Sequence, residues 1–302
     1  MLPSVFRDRV VRKAQYWQSC KQPLRAQPTK LEVGCTKSIS KSSVLPKSAK
    51  DNSGLEIIMP GKVAVVTGAG GGMGRAICLK LVQDGLTVVG LDVSAERLEE
   101  TSTAIGDGFH SLAVDLTDAT AVAEAFANIK SQHGGLDALV NNAGTCLMSD
   151  FPIIPASELD SQMAINFNSA FYCCQQAVPL MMDRPGVRKI VNISSNGAYN
   201  FDVFDPPHYR ASKAAMDTLT KDLARRYAAE KIAVNSIAPA MTTTPLFDVL
   251  TDEVLQQAIS AMPHGRAMDP SEIASWVAFL ISPAGDISSG NIIILNQGRD
   301  VR

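Results

Sequence analysis

Short apolar runs alternate with helical patterns along the chain from Lys62 onward. Helical patterns cover Met73–Asp84, followed by Gly85, and Ser94–Ala104, for which Ser94 is a candidate N-cap. The apolar runs are rich in Val and Ile and lack a polar alternation, as is typical of strands covered on both faces. They are Val63–Thr67, Thr87–Leu91, Ala138–Val140, Lys189–Ile193, Ile232–Ile237 and Asn291–Leu295. This alternation predicts an α/β fold, a doubly wound parallel sheet with helices on both faces.

Charge divides the chain into two parts. Residues 1–59 hold 11 Lys and Arg against 4 Asp and Glu, whereas residues 60–302 hold 17 against 26, so the net charge of -2 describes neither part. Residues 1–58 are rich in Lys, Ser, Gln and Pro, which predicts a basic, mostly disordered extension before a single domain over residues 59–302. We expect a cytoplasmic protein, or a mitochondrial or other organelle protein if residues 1–58 are a transit peptide.

Composition also restricts the partners. No apolar run approaches the roughly 18 residues that a membrane span needs, which predicts a soluble protein. The six cysteines form no C-x-x-C pair and the four histidines lie at no ligand spacing, so we expect no metal site. The acidic body argues against nucleic acid as a partner. A small-molecule partner is the remaining expectation.

A glycine-rich turn follows the first predicted strand and precedes a helix. Five glycines in eight residues let the backbone turn sharply and approach a bound group, while the helix N-terminus offers free N–H groups to a pyrophosphate. The position of the turn favours dinucleotide binding in a Rossmann-type fold over a purely structural turn. The candidate cofactor contacts are Thr67, Gly68, Gly70, Gly71, Gly72, Met73 and Gly74.

Asp92 ends the second predicted strand, about 20 residues beyond the turn. A carboxylate there can accept both ribose hydroxyls of an adenosine and would repel a 2′-phosphate. Neither Gly71 nor Val93, the natural neighbours for a compensating cation, is basic. The sequence therefore predicts NAD(H) as the cofactor in preference to NADP(H).

Tyr209 and Lys213 lie one turn apart in a predicted helix, so their side chains share a face. An ammonium group there should lower the pKa of the phenol toward the working range of a general acid and base. Tyr227 and Lys231 repeat the spacing at a predicted helix end, where we expect no catalytic role. Ser195 ends the strand before Tyr209, at the sheet edge where such folds place their chemistry.

With these motifs in order, the chain resembles the short-chain dehydrogenase/reductase family over roughly residues 60–298. Thr67–Gly74 fits the family turn T-G-x-x-x-G-x-G, Asn141–Gly144 fits the segment N-N-A-G, and Asn166 falls at the position of the family's catalytic asparagine. Ser195, Tyr209 and Lys213 complete the family's catalytic tetrad.

The resemblance implies a role for each of these residues. Tyr209 would exchange a proton with the substrate oxygen, Ser195 would hydrogen-bond that oxygen, and Lys213 would lower the pKa of the tyrosine and anchor the nicotinamide ribose. Asn166 would hold a water in a proton relay to Lys213. Further implied cofactor contacts are Asp115 and Leu116 near the adenine, together with Asn142, Ala143, Gly144, Pro239, Thr242 and Thr244.

Three positions depart from the family pattern. Ser195 stands 14 residues before Tyr209, one more than the commonest spacing. Pro239 is followed by Ala240 where the family usually has glycine, and Asn296-Gln297-Gly298 replaces the common Asp-Gly-Gly. Apolar candidates for the substrate lining are Cys146, Met148, Val203, Phe204, Leu246, Phe247, Val249, Leu250 and Met262, although these residues could equally serve packing alone.

The function predicted from the sequence is NAD(H)-dependent interconversion of a secondary alcohol and a ketone, with Tyr209 as general acid and base. Two alternatives stay open: a dinucleotide-binding sensor or scaffold without turnover, and a 3-oxoacyl-type reductase that uses NADP(H). The helices around Asn166–Leu180 and Tyr209–Ala229 carry apolar stripes wider than one sheet face needs, which predicts a homotetramer, with a dimer as the second choice.

Overall fold

Seven parallel strands form one sheet with the order β3-β2-β1-β4-β5-β6-β7 in the computed structural model, which describes residues 59–200, 205–244 and 252–300. The chain moves outward from β1 to β3, then returns and builds the other half from β4 to β7. The strands are β1 Val63–Thr67, β2 Thr87–Asp92, β3 Phe109–Ala113, β4 Ala138–Asn141, β5 Arg188–Ile193, β6 Ile232–Pro239 and β7 Ile292–Leu295.

Helices connect the strands. They are α1 Gly72–Gln83, α2 Ala95–Ile105, α3 Ala119–His133, α4 Ala156–Met163, α5 Ser169–Met182, α6 Pro207–Arg226, α7 Asp252–Ser260 and α8 Pro270–Ile281. A π-helical turn, Ala164–Asn168, joins α4 to α5 without a break. Ser94 caps α2 as predicted, since its hydroxyl accepts the backbone N–H of Arg97.

Two hydrophobic layers cover the sheet, one on each face. Ile77 and Leu81 of α1 share one layer with Ile273 and Val277 of α8. The other layer contains Phe126 of α3 and neighbouring side chains of α5 and α6. The predicted doubly wound architecture is confirmed, because parallel strands with helices on both faces are what the apolar runs required.

The third strand, Phe109–Ala113, is absent from the set of apolar runs found in the sequence. Among the described residues it is an edge strand paired with β2, and most of its side chains are exposed. Its sequence, Phe-His-Ser-Leu-Ala, therefore lacks the Val and Ile run that marks a strand buried on both faces. The first strand has the predicted bounds, and those of the remaining strands differ from the predicted ones by one or two residues.

Some predictions fall outside the described residues. They are the disordered extension over residues 1–58 and the lining residues Val203, Phe204, Leu246, Phe247, Val249 and Leu250. Within the described part, no helix has the length and apolar character to cross a membrane. The same residues contain no cluster of three or more His, Cys, Asp or Glu side chains that could hold a metal ion.

Candidate active site

The carboxyl ends of β1 and β4 are joined by the side chain of Thr67. Its Oγ1 accepts the backbone N–H groups of Asn142 and Ala143, both at 3.0 Å. The Asn142 side chain also binds the turn, since its Nδ2 donates to the carbonyls of Thr67 at 3.0 Å and Gly68 at 3.2 Å. The N-N-A-G segment therefore lies directly against the glycine-rich turn.

Gly68 and Gly74 allow the turn to fold back on itself. Gly68 has φ +66, and a Cβ on Gly74 would lie 1.9 Å from the carbonyl oxygen of Gly68. Gly72 also takes a positive φ, of 53. Only glycine permits this combination of backbone conformation and close approach.

The N-terminus of α1 is open. Gly71 is its N-cap and contributes no side-chain hydrogen bond, and a Cβ there would have no neighbour within 4 Å. Met73, half-buried, lies in the first turn. The first N–H groups of a helix have no intrahelical partner, so this end can receive an anion. Asn142 Oδ1 is buried nearby without a partner among the described residues.

Asp92 is held at the end of β2 by two backbone N–H groups. Oδ2 accepts from Gly70 at 2.9 Å, and Oδ1 accepts from Ser94 at 3.0 Å. A Cβ on Gly70 would meet both this carboxylate, at 2.8 Å, and the Cβ of Arg97, at 2.7 Å. The carboxylate therefore borders the glycine-rich turn, and the side chain of Arg97 starts beside it. Sequence reasoning considered only positions 71 and 93 for a cation and missed Arg97, which reaches the turn from α2.

Asp115 and Leu116 follow β3. Asp115 is exposed and accepts the N–H and hydroxyl of Thr117 at 2.9 and 2.7 Å, which lower the pKa of its carboxyl group. Leu116 is buried in the core layer that contains α3. Both residues lie beyond an edge strand next to β2, on the same side of the site as Asp92.

Lys213 reaches from α6 to the end of β5. Its Nζ donates to the carbonyl of Ile193 at 2.9 Å. A Cβ on Gly144 would lie 3.1 Å from this Nζ and 3.3 Å from Asn166 Oδ1. Glycine at position 144 thus lets the lysine, the asparagine and the N-N-A-G segment meet.

Asn166 is fully buried in the π-helical turn. Its Nδ2 donates to the carbonyl of Thr145 at 2.9 Å and to Ser212 Oγ at 3.0 Å, and its Oδ1 accepts the N–H of Thr145 at 2.8 Å. A π-helical turn redirects side chains relative to a regular helix, and such turns are frequent at functional sites. Asn166 Oδ1 and Lys213 Nζ both border Gly144, within 3.3 Å of the place that a Cβ there would take.

Ser195 lies beside Tyr209, and its hydroxyl acts to lower the pKa of the phenol. Ser195 Oγ also accepts the N–H of Gly197 at 3.0 Å, which fixes the serine rotamer. The Lys213 Nζ lies 6.0 Å from the centre of the tyrosine ring. The four residues of the predicted tetrad are therefore gathered at the carboxyl edge of the sheet.

The electrostatics of the tyrosine differ from the expectation drawn from the sequence. Burial raises the pKa of Tyr209, and the neighbouring Asp205 carboxylate raises it further, while the Ser195 hydrogen bond lowers it. The net shift is therefore opposite to the lowering that the sequence predicted. The Lys213 ammonium group is itself buried and donates to the Ile193 carbonyl. Burial lowers the pKa of Lys213 to about 8, opposed by the charge of Asp217.

The end of β6 provides the remaining predicted contacts. Pro239 is the last residue of the strand, and Thr242 is buried where it forms a bridge with Met268. Thr244 is half-buried at the last described position before residue 252. Met262 is buried, whereas Cys146 is half-buried and Met148 is exposed.

Tyr227 and Lys231 are not a second catalytic pair. Tyr227 is the C-cap of α6, and Lys231 lies beyond it with φ 56, so the two side chains share no helical face.

Two acidic residues near the site were missed by sequence reasoning. Asp205 lies close to the Ser195 turn: a Cβ on Gly197 would be 2.1 Å from the Asp205 carboxylate and 3.2 Å from Ser195 Oγ. Burial raises the pKa of the Asp205 carboxyl. Asp217 is buried behind Lys213 on α6. Neither belongs to a spaced motif, and a single acidic residue in a helix or a loop gives no signal in a sequence.

Comparisons with known proteins agree with this geometry. Residues 62–254 match the family described as short chain dehydrogenase. A relative from Aquifex aeolicus named 3-oxoacyl-[acyl-carrier-protein] reductase FabG is 33% identical over 248 residues, 81% of this chain and 99% of the relative.

Two similar solved structures contain different cofactors. A 3-ketoacyl-(acyl-carrier-protein) reductase from Brucella melitensis, complexed with NADH, is 26% identical with a TM-score of 0.75, over 80% of this chain and 99% of its own. The RhlG/NADP complex from Pseudomonas aeruginosa is 28% identical with a TM-score of 0.77, over 82% and 99%. With its sheet order, its turn and its clustered tetrad, the chain belongs to the short-chain dehydrogenase/reductase family of oxidoreductases.

Proposed function

We propose that this protein interconverts a secondary alcohol and a ketone with NAD(H), using Tyr209 as the group that exchanges a proton with the substrate oxygen. The observation that carries the proposal is the meeting of Tyr209, Ser195, Lys213 and Asn166 at one sheet edge, beside the glycine-rich turn. A protein that only binds a dinucleotide needs the turn but has no use for all four of these side chains.

The residues of the turn fit a dinucleotide. The open N-terminus of α1 can receive a pyrophosphate, and the space beside Gly71 and the unpartnered Asn142 Oδ1 leave room and hydrogen-bonding capacity. When bound, a nicotinamide dinucleotide supplies hydride transfer, the part of the reaction that protein side chains cannot perform.

The chain's own residues then hold and move the proton. Because its pKa is raised, Tyr209 is a neutral phenol near neutral pH, the form that can donate a proton to a ketone oxygen. Ser195 provides a second hydroxyl for that oxygen, held in place by the N–H of Gly197. Lys213 in its ammonium form stabilises the tyrosinate that remains after the proton has left.

The preference for NAD(H) rests on Asp92. Its carboxylate is fixed at the turn by Gly70 and Ser94, so it would accept ribose hydroxyls and repel a 2′-phosphate. The proximity of Arg97 to Gly70 favours the alternative, NADP(H), because an arginine in this region can accommodate that phosphate.

A second candidate substrate is a 3-oxoacyl thioester. It is favoured by the name of the Aquifex aeolicus relative, which is similar to this chain over almost the whole of its own length. The chemistry at Tyr209 would be the same, because a 3-oxoacyl group also presents a ketone.

The test is a panel of secondary alcohols, ketones and a 3-oxoacyl thioester, assayed by the absorbance of reduced cofactor with NAD(H) and NADP(H). Tyr209→Phe should reduce turnover at least about a hundredfold, in keeping with general acid–base catalysis, while NADH binding measured by fluorescence stays within about twofold. Tyr227→Phe, at the non-catalytic repeat, is the matched control and should keep full activity. Turnover by Tyr209→Phe close to that of the wild type would refute the role of Tyr209.

A further inference from the structure

Asp217 forms a buried network that the tetrad does not include. It lies one helical turn after Lys213 on α6 and is 3% exposed. Its Oδ2 accepts the hydroxyls of Ser194 at 2.9 Å and Tyr199 at 2.7 Å, and its Oδ1 accepts the hydroxyl of Ser236 at 2.7 Å. Three hydroxyl donors on one buried carboxylate satisfy an acceptor that would otherwise be costly to bury.

The three donors come from separate parts of the site. Ser194 immediately precedes Ser195, Tyr199 follows the turn that Gly197 forms with Ser195, and Ser236 belongs to β6. The hydroxyl of Ser194 also contacts the backbone carbonyl of Lys213 at 3.3 Å. Asp217 therefore ties α6, which carries the tyrosine and the lysine, to the strand end that carries the serine.

The charge of Asp217 also acts on Lys213. Burial alone would drive the lysine toward its neutral amine, and the Asp217 carboxylate is the largest influence in the opposite direction. The other titratable groups around Lys213 are the thiol of Cys146, from the segment after β4, and the phenol of Tyr209. Burial raises the pKa of the Cys146 thiol to about 12, so it carries no charge near neutral pH.

We propose that Asp217 is a positioning residue that keeps Lys213 in its ammonium form and holds the Ser194–Ser195 strand end against α6. The inference rests on the proposed function, since it concerns the charge state of a residue assigned to that reaction. It adds a fifth residue, outside the tetrad, on which the reaction depends.

Asp217→Asn isolates the charge. The amide oxygen can take the place of Oδ2 for Ser194 and Tyr199, and the amide NH₂ can donate to the Ser236 hydroxyl, so the network keeps its shape. An opposite charge within a few ångströms shifts a pKa by about one unit or more. Without Asp217, Lys213 should therefore titrate about one unit below the value of about 8 that the intact network gives it.

The pH dependence of ketone reduction should reveal this change. With a one-unit shift, kcat of Asp217→Asn should equal that of the wild type within about 1.5-fold at pH 6 and fall about eightfold below it at pH 8.5. KM should change less than kcat. The matched control is Asp222→Asn, which removes an exposed carboxyl on the same helix and should leave the ratio constant across pH.

A second readout does not depend on turnover. The rate at which acetic anhydride acetylates Lys213, followed by mass spectrometry against pH, reports the pKa of the amine. The midpoint should lie about one unit lower in Asp217→Asn than in the wild type, and Asp222→Asn should match the wild type. Because burial raises the pKa of Asp217, its charge costs stability in the fold, and Asp217→Asn should melt no lower than the wild type.

An unchanged acetylation midpoint, or an activity loss that is equal at all pH values, would overturn the inference. A lower melting temperature with a uniform loss would show a purely structural role. If Asp217→Asn does not fold, Asp217→Ser serves the same comparison. If the wild type reduces no substrate of the panel, the proposed function fails, while the acetylation measurement still decides whether Asp217 controls the charge of Lys213.

Discussion

Replacing Asp92 by Asn tests the assignment of the cofactor most directly. The substitution removes the negative charge from the end of β2 while keeping the size of the side chain and one oxygen acceptor for Gly70 or Ser94. The carboxylate is already fixed by these two N–H groups, so its charge is in place before a cofactor arrives. We therefore expect the change to act on selectivity far more than on the fold.

The magnitude follows from the position of the carboxylate. Two like unit charges about 4 Å apart repel by about 1 kcal/mol in water and about 4 kcal/mol near a protein surface. Asp92 is half-buried, so we take about 2 kcal/mol for its effect on a 2′-phosphate, or roughly thirtyfold in selectivity. The ratio of kcat/KM for NAD(H) to that for NADP(H) should fall by this factor in Asp92→Asn, and by less at high salt, because salt screens a half-exposed charge.

The measurement is kcat/KM for both cofactors with one substrate, at low and high ionic strength. Asp107→Asn, which removes an exposed carboxyl group beyond α2, is the matched control and should leave the ratio unchanged. A tenfold preference of the wild type for NADP(H) would refute the reasoning and would favour Arg97 as the residue that accommodates the 2′-phosphate. An unchanged ratio in Asp92→Asn would refute it as well.

Two further predictions concern the turn and the lysine. Gly74→Ala places a Cβ 1.9 Å from the Gly68 carbonyl oxygen, so the turn must shift. The free energy of unfolding measured with urea should fall by about 1–3 kcal/mol, and NADH should bind more weakly. Gly71→Ala meets no atom within 4 Å and should keep wild-type stability; equal stability of the two variants would contradict this account. Burial lowers the pKa of Lys213 from 10.5 in the unfolded chain to about 8 in the folded protein. Between these pH values the folded state binds fewer protons than the unfolded state, so the free energy of unfolding falls as the pH is lowered. Below pH 8 the charged lysine lowers the free energy of unfolding by its full amount. The difference in the free energy of unfolding between Lys213→Met and the wild type should therefore favour the variant by about 2 kcal/mol more at pH 7 than at pH 9.5. A difference that is the same at both pH values would show that the lysine pKa is not lowered.

The fold could be predicted where a local pattern reflects burial on both faces. Two central strands could be recognised from their apolar sequence because none of their positions faces water; they are Val63–Thr67 and Ile232–Ile237. The edge strand Phe109–Ala113 could not be found in this way, since one side of it is solvated and its residues have weak strand preference. The glycine-rich turn and the Tyr209–Lys213 pair were predictable because their geometry depends on residues close together in the chain.

The charge states of the site were not predictable. A spacing of four residues places Lys213 beside Tyr209, but the pKa of each group depends on how deeply it is buried and on which charges reach it from elsewhere. Burial is the largest influence on the pKa of Tyr209, and Asp205 raises the pKa of the phenol further from a separate segment.

The sequence by itself determined the architecture and the position of the glycine-rich turn, because each depends on local periodicity or short spacing, while the tetrad as a set was predicted from the resemblance to the family. Only the tertiary structure brought Asn166 and Lys213 to the same glycine, Gly144, and placed Arg97 beside Gly70. It also enclosed Asp217 between α6, the end of β5 and β6. The physical reason is that electrostatic interactions act through space between residues far apart in the chain, and their strength is set by a burial that only the packed fold creates.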